Sequence, residues 1–252
     1  MNDQQGGVVI VTGGNRGIGA ATCRGLAAQG YAVTINYRIN KSQAEALAVE
    51  INTAGGRAVA IQCDVSIENE VVNLFEQTTQ QLGPLTALVN NAGILETQIK
   101  VVDLTPDRID RIFATNVRGS FLCAREAVRR MSNLCGGNGG GIVNVSSAAA
   151  RLGSPDEYVD YAASKGAIDS MTIGLSKEVA AEGIRVNAVR PGFIDTEMHA
   201  SGGEPDRLQR VRGSIPLGRG GEASEVANAI IWLLSPQSSY CTGTFIDVSG
   251  GR

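Results

Sequence analysis

Val8-Val9-Ile10-Val11-Thr12-Gly13-Gly14-Asn15-Arg16-Gly17-Ile18-Gly19-Ala20-Ala21-Thr22 is the stretch that decides the fold. Four consecutive β-branched residues suit a strand buried on both faces, as strands of a parallel sheet are. The alanines that follow the last glycine suit a helix. A glycine turn between strand and helix lets backbone N–H groups approach an anion at the positive end of the helix dipole. Tight turns use glycine for steric reasons as well. With a strand before it and a helix after it, the better reading is a pyrophosphate cradle for a dinucleotide.

Outward from this stretch, short β-branched runs alternate with longer segments of helical period, which argues for βαβ units. Strands are expected at 8–11, 32–37, 58–62, 87–90, 142–146, 185–189 and 244–248, and helices near 17–29, 41–54, 67–82, 106–132, 158–181 and 222–234. Gly30 and Gly55 stand where helices should end. The expected fold class is α/β: a single-domain, Rossmann-type, doubly wound parallel sheet of about seven strands flanked by helices, with residues 1–252 forming one unit. Two stretches are irregular. Cys135-Gly-Gly-Asn-Gly-Gly-Gly141 precedes a strand and lacks a following helix, so it reads as a flexible connection. Residues 196–216, rich in glycine and charge, could form a substrate lid or a surface insertion.

Composition sets the class. The chain has 252 residues, 43% of them apolar and 19% charged, with a net charge of −3 and a mean hydropathy of +0.00, so it can bury a sizeable core and should be globular. No clustered basic face is available for a phosphate backbone, which argues against nucleic acid. No apolar run approaches the roughly 18 residues that cross a bilayer, so no membrane is expected. The N-terminus, Met-Asn-Asp-Gln-Gln-Gly-Gly, is polar and has no signal-peptide core. Five scattered cysteines and a single histidine, His199, form no ligand cluster, so the expectation is a reducing cytoplasm and no metal. The Asn-x-Ser sequons at Asn40 and Asn144 then carry no meaning.

The glycines fall as T-G-x-x-x-G-x-G rather than as G-x-G-x-x-G. Further along come Asp64-Val65, Asn90-Asn91-Ala92-Gly93, Asn116, Ser146-Ser147, Tyr161-Ala-Ala-Ser-Lys165 and Pro191-Gly192-Phe193-Ile194-Asp195-Thr196, in that order. In this set the chain resembles the short-chain dehydrogenase/reductase family, over nearly its whole length. The stretch from Arg151 to Lys165 looks most like bacterial oxidoreductases labelled glucose 1-dehydrogenase-like, many of them uncharacterised.

The resemblance implies that Tyr161 is the acid/base which protonates a carbonyl oxygen, or deprotonates an alcohol, while hydride passes to or from nicotinamide. Read alone, Tyr161 and Lys165 are only a tyrosine and a lysine four apart on one helix face. A free tyrosine titrates about three units above neutrality, ~4 kcal/mol from being a useful base at pH 7. The Lys165 ammonium and an oxidised nicotinamide would both favour phenolate. By the resemblance Lys165 also holds the nicotinamide ribose, Asn116 distorts its helix and holds a water that links the lysine to solvent, and Ser147 donates to the substrate oxygen. Ser147 stands 14 residues before Tyr161, one more than is common in the family, and Ser146 remains a competitor.

For the cofactor the resemblance implies contacts from Gly13, Asn15, Arg16, Gly17, Ile18 and Gly19 in the turn, from Tyr37 and Arg38 after the second strand, and from Asp64 and Val65. It further implies Asn90, Ala92 and Gly93 after the fourth strand, with Pro191, Gly192, Ile194 and Thr196 fixing the carboxamide. An NAD enzyme typically places an acid at the end of the second strand. Asn36-Tyr37-Arg38 stands there instead, and Arg38 with Arg16 suits a ribose phosphate, so NADP is expected over NAD.

A small polar carbonyl or sugar-like molecule is the favoured substrate. A 3-oxoacyl carrier-protein reductase comes second; it would need basic residues near the entrance, such as Arg125, Arg129 and Arg130. A non-catalytic NADP(H) sensor would have no need of a proton donor. Family resemblance also implies a homotetramer, for which Ala229-Ile230-Ile231-Trp232-Leu233-Leu234 offers an apolar surface. Helix spacing puts Tyr158 on one stripe with Tyr161 and Lys165, as a pocket wall or as packing for the loop before it.

Overall fold

The computed structural model describes residues 6–252; residues 1–5, on which the reading of the polar N-terminus rests, and the side chains of His199 and Ala200 lie outside that description. The first βαβ run is β1 (Val8–Val11), α1 (Gly17–Ala28), β2 (Ala32–Tyr37), α2 (Lys41–Thr53), β3 (Arg57–Gln62), α3 (Glu68–Leu82) and β4 (Leu85–Asn90). The second half holds α4 (Pro106–Phe113), α5 (Gly119–Met131), β5 (Gly140–Val145), α6 (Ala149–Leu152), α7 (Val159–Glu178) and β6 (Ile184–Pro191). After these come β7 (Ile194–Asp195), α8 (Met198–Ser201), α9 (Arg207–Val211), β8 (Gly221–Glu222), α10 (Ala223–Leu234) and β9 (Phe245–Val248).

The main sheet has seven strands in the order β3-β2-β1-β4-β5-β6-β9, and every neighbouring pair is parallel. These are the seven strands expected from sequence, because β-branched runs such as Val8–Val11 are buried along their whole length. Apolar side chains pack in two layers. One lies between the sheet and α1, α2 and α10, with Leu26, Ile35, Leu47 and Ile230 at its centre. The other lies under α3 and α5, around Leu74, Phe75, Leu88 and Met131. Gly30 and Gly55 follow the ends of α1 and α2 with φ of 86° and 87°, the left-handed conformation that stops a helix.

Sequence order reverses between β1 and β4, so the crevice at the carboxyl ends of these strands is the topological switch point of an open α/β sheet. The glycine turn opens into it.

Three features depart from the expected elements. The helix expected over 106–132 is two helices joined by a π turn, Ala114–Arg118. Ile194–Asp195 and Gly221–Glu222 form a second, two-stranded parallel sheet. α7 begins at Val159, which leaves Tyr158 as its N-cap with φ −145° rather than as a helical residue. The glycine-rich stretch 135–141 is a connection from a short turn into β5, with Gly136 and Gly139 at positive φ.

Candidate active site

A cavity lies at the switch point, bounded by the glycine turn, by the ends of β2, β3 and β4, and by Thr196 to Met198. Gly13, Asn15, Arg16, Gly17 and Ile18 line it from the turn, Arg38, Asp64 and Val65 from the far end, and Ala92, Gly93 and Thr196 from the opposite wall. Gly13 has φ +59°, and a Cβ on it would lie 3.1 Å from the Cα of Ala92. Gly19 sits in the first turn of α1, where a Cβ would be 2.3 Å from the Gly13 carbonyl oxygen. Without side chains at these positions, the backbone can approach a ligand closely.

Hydrogen bonds hold the turn in shape. The Thr12 hydroxyl accepts from the backbone N–H groups of Asn91 and Ala92, both at 3.0 Å. The Asn91 amide donates to the carbonyls of Thr12 and Gly13 at 2.9 and 3.0 Å. Asn36 accepts from the Gly13 N–H at 3.1 Å and donates to the Cys63 carbonyl at 3.0 Å. Sequence reasoning missed Asn36 and Asn91 as organisers of this wall, although both stand at the carboxyl ends of strands.

The remaining expected contacts are placed differently. Tyr37 is buried in the core among Ala44, Leu47 and their neighbours, off the cavity. The reason is strand alternation: Asn36 faces the turn, so Tyr37 faces away. Asn90 is buried, with its Nδ2 donating to Ser120 O and Asn144 Oδ1 at 3.2 and 3.0 Å and its Oδ1 lacking a hydrogen-bond partner. Pro191, Gly192 and Ile194 are not among the residues that line the cavity. The Pro191 carbonyl accepts from Ala148 N–H, and Gly192 N–H donates to Val248 O, each at 2.9 Å. Ile194 is paired with Gly221.

At the far end, Arg38 is half exposed and its Nη1 is 3.7 Å from an Asp64 carboxylate oxygen. Arg16 donates to Ser201 Oγ at 3.4 Å, which joins the turn to α8. No acidic side chain stands at the end of β2.

Beyond the Gly93 end of the crevice, β5 and α7 bring Ser147, Tyr161 and Lys165 together. Lys165 is buried at 4% exposure; its Nζ donates to the Val145 carbonyl at 2.7 Å and lies 5.6 Å from the centre of the Tyr161 ring. Burial pulls the lysine down to about 8, opposed by the Asp169 carboxylate. Burial pushes the Tyr161 phenol up, while a hydrogen bond with Ser147 and the Arg207 charge pull it down. The direction differs from the lowering expected through Lys165. In this state desolvation dominates, and the ammonium spends a hydrogen bond on Val145 O.

The two serines separate cleanly. Ser147 stands close enough to the Tyr161 phenol to lower it, whereas Ser146 is buried and donates to Asp169 Oδ1 at 2.6 Å. Asn116 is buried in the π turn. Its Oδ1 accepts from Ile94 N–H at 2.8 Å, and its Nδ2 donates to Ile94 O and Ser164 Oγ at 3.1 and 3.0 Å. A Cβ on Gly93 would lie 3.5 Å from both Asn116 Oδ1 and Lys165 Nζ, so these two groups converge beside the cavity.

Tyr158 caps α7 rather than standing within it. It is 1% exposed, its hydroxyl donates to Gly202 O at 3.4 Å, and the Arg207 guanidinium lies 4.6 Å from its ring centre.

Among the described residues no group of three or more His, Cys, Asp or Glu is placed to hold a metal, and no helix is long and apolar enough to cross a membrane. All five cysteines are free.

A family model described as enoyl-(acyl carrier protein) reductase matches residues 13–252. An uncharacterised oxidoreductase of Escherichia coli, YgfF, is 61% identical over 97% of this chain and 99% of its own. The solved structure of a short-chain dehydrogenase from Burkholderia cenocepacia in complex with NADP is 35% identical, with a TM-score of 0.90 over 99% of each chain. That of a 3-ketoacyl-(acyl-carrier-protein) reductase from Brucella melitensis, complexed with NADH, is 34% identical, with a TM-score of 0.91 over 99% of each chain. With this match over its length, its seven-stranded doubly wound sheet and its glycine cradle, the chain belongs to the short-chain dehydrogenase/reductase family and is an NAD(P)-dependent oxidoreductase.

Proposed function

We propose that the chain uses NADP(H) to interconvert a carbonyl and a secondary alcohol on a small polar or sugar-like substrate. The observation that carries the reading is the placement of Ser147, Tyr161 and Lys165 beside a cavity lined by the glycine turn. The cavity fits a dinucleotide: it runs from Arg38 past Gly13 and Gly17 to Gly93, and a Cβ at Gly13 would lie 3.1 Å from Ala92 Cα on its wall. When bound, the dinucleotide supplies or accepts a hydride.

The chain's own residues do the rest. Tyr161, held protonated by burial, gives its proton to the carbonyl oxygen in reduction and takes it back in oxidation. Ser147 donates to the same oxygen as charge develops. Lys165 places a cation 5.6 Å from the centre of the Tyr161 ring and would hold the ribose hydroxyls of a bound dinucleotide, while Asn116 fixes the Ile94 backbone next to Gly93. Arg16 and Arg38, with no acid at the end of β2, favour the extra phosphate of NADP. Residues 196–216 act as the lid: Thr196 closes on Gly17, and α8 reaches Arg16 through Ser201.

A carrier-protein substrate remains second, supported by the likeness to the Brucella reductase. Against it, Arg125, Arg129 and Arg130 are all paired with the buried Glu126. A passive nucleotide sensor has no use for the serine–tyrosine–lysine set. We further infer a homotetramer in the cytoplasm. In the apolar α10 stretch Ile230, Leu233 and Leu234 are buried in the subunit's own core, which leaves Trp232, 38% exposed, as the outward anchor.

A substrate panel tests the reading. Free small ketones, aldehydes and sugars are assayed against acetoacetyl carrier protein, with NADPH and NADH in parallel. Turnover of small carbonyls with NADPH is the expected result. Turnover only of the carrier-protein substrate promotes the second reading, and NADPH binding without turnover of any carbonyl promotes the sensor.

A further inference from the structure

We propose that Asp169 is a positioning residue: its carboxylate sets a negative charge opposite the Lys165 ammonium and, through Ser146, pins the end of β5 from which Ser147 reaches Tyr161. The proposal rests on the reading of Ser147, Tyr161 and Lys165 given above.

Asp169 stands four residues after Lys165 on α7 and therefore on the same helix face. Its Oδ1 accepts from Ser146 Oγ at 2.6 Å, and its Oδ2 accepts from Arg190 Nε and Nη2 at 3.0 and 2.9 Å. Ser146 is 2% exposed, and its N–H donates to Val189 O at 2.9 Å. The Ser146 hydroxyl is also 3.2 Å from the Lys165 carbonyl oxygen. A hydroxyl has one proton, and the shorter contact with the charged acceptor takes it. The serine pair therefore divides its work: the first is bound to Asp169 behind the site, and the second faces the phenol in front of it.

Charge balance explains why a carboxylate stands there. Lys165 is faced by Asp169 and Tyr161 from α7, by the Val145 carbonyl from β5, and by Asn116 from the π turn near Gly93. Asp169 itself is faced by Ser146 and by Arg190 of β6. Arg190 also lies 3.7 Å from Asp247 of β9, and Asp247 is bound in turn by Arg151 at 2.7 Å. Two arginines thus meet two acids. Removing Asp169 leaves a surplus cation next to a buried ammonium, and the lysine loses its proton more readily.

The test is the pH profile of kcat/KM for carbonyl reduction by wild type, Asp169→Asn and Asp169→Glu, each normalised to its own maximum, with melting temperatures measured alongside. Lys165 titrates near 8, and its loss of charge ends activity on the alkaline side. The Asp169→Asn limb is expected to move down by about half to one pH unit, and Asp169→Glu is expected to bring it back. A limb that coincides with wild type, with only a lower melting temperature, overturns the proposal and leaves Asp169 as a tie between α7 and β6. Should Asp169→Asn fail to fold, Ser146→Ala carries the test. It should lower kcat by about three- to tenfold with little change in KM, because the Ser147 hydroxyl is no longer held in line; a wild-type kcat overturns the proposal. Tyr161→Phe is assayed in the same series. If it stays active, the reading of the site is overturned; if it is dead while the Asp169→Asn limb is unmoved, only the role of Asp169 is.

Discussion

The ammonium of Lys165 lies 5.6 Å from the centre of the Tyr161 ring and donates its hydrogen bond to the Val145 carbonyl, not to the phenol. The groups that bear on the phenol in this state are burial, which raises it, and Ser147 and Arg207, which lower it. In the proposed reaction the proton is carried by the phenolic group. Tyr161→Phe is expected to lower kcat by at least about 100-fold, within the usual range for loss of a general acid, while fluorescence titration with NADPH gives a Kd close to wild type. Residual activity within tenfold of wild type would remove Tyr161 from the role.

Burial of Lys165 carries a cost in stability. Its folded-state value near 8 lies below the ordinary 10.5, so between those values the unfolded chain binds more protons than the folded one, and stability rises with pH. Below about pH 8 the full penalty applies, of order 3 kcal/mol for a shift of this size, partly offset by about 1 kcal/mol from the bond to Val145 O. Lys165→Met is expected to be inactive yet about 1–2 kcal/mol more stable than wild type at pH 7 in urea titrations, with the advantage shrinking between pH 8 and 10. An equal or larger loss of stability at pH 7 would show that the ammonium contributes to the fold.

The sheet was legible because its strands are buried on both faces, and runs such as Val8–Val11 carry no other pattern. The π turn was not, since a single inserted residue in a helical segment leaves the apolar spacing of Ile112, Phe113, Val117 and Phe121 nearly undisturbed. β7, β8, α8 and α9 are too short to show any period. In the site, the family motifs pointed to Ser147, Tyr161 and Lys165, which β5 and α7 bring near one another. Telling the two serines apart needed coordinates, because the Asp169 carboxylate that binds Ser146 comes from α7, more than twenty residues along the chain. Cavity residues such as Glu197 and Met198 gave no signal, since they come from the irregular stretch.

Cofactor choice reduces to Arg38, half exposed at the mouth of the cavity and only loosely paired with Asp64. A charge-assisted bond to a ribose phosphate is worth about 1.5–3 kcal/mol. Arg38→Ala should therefore cut the ratio of NADP to NAD efficiency by at least about tenfold, through KM for NADP, with NAD kinetics little altered. An unchanged ratio would make Arg38 an ordinary surface charge.

Tyr158 joins the lid to the helix that carries Tyr161. Its ring is fully buried beneath the Arg207 guanidinium, and its hydroxyl reaches the Gly202 carbonyl. Arg207 in turn donates to Glu157 at 2.5 Å, beside Tyr158 in the chain. Two variants separate its parts. Tyr158→Phe removes one long hydrogen bond at 3.4 Å and keeps the ring, so the melting temperature should fall by no more than a few degrees, roughly the effect of 1 kcal/mol in a chain of this size. Tyr158→Ala empties a packed site and should cost about 3–5 kcal/mol, with a drop of roughly 6–15 °C. If residues 196–216 order the substrate, KM for the carbonyl should rise in Tyr158→Ala more than kcat falls, because the Tyr158 hydroxyl is bonded to Gly202 of that stretch. Equal losses in kcat and kcat/KM at unchanged melting temperature would instead put Tyr158 in the transition state, and a lower melting temperature with wild-type kinetics would confine it to packing.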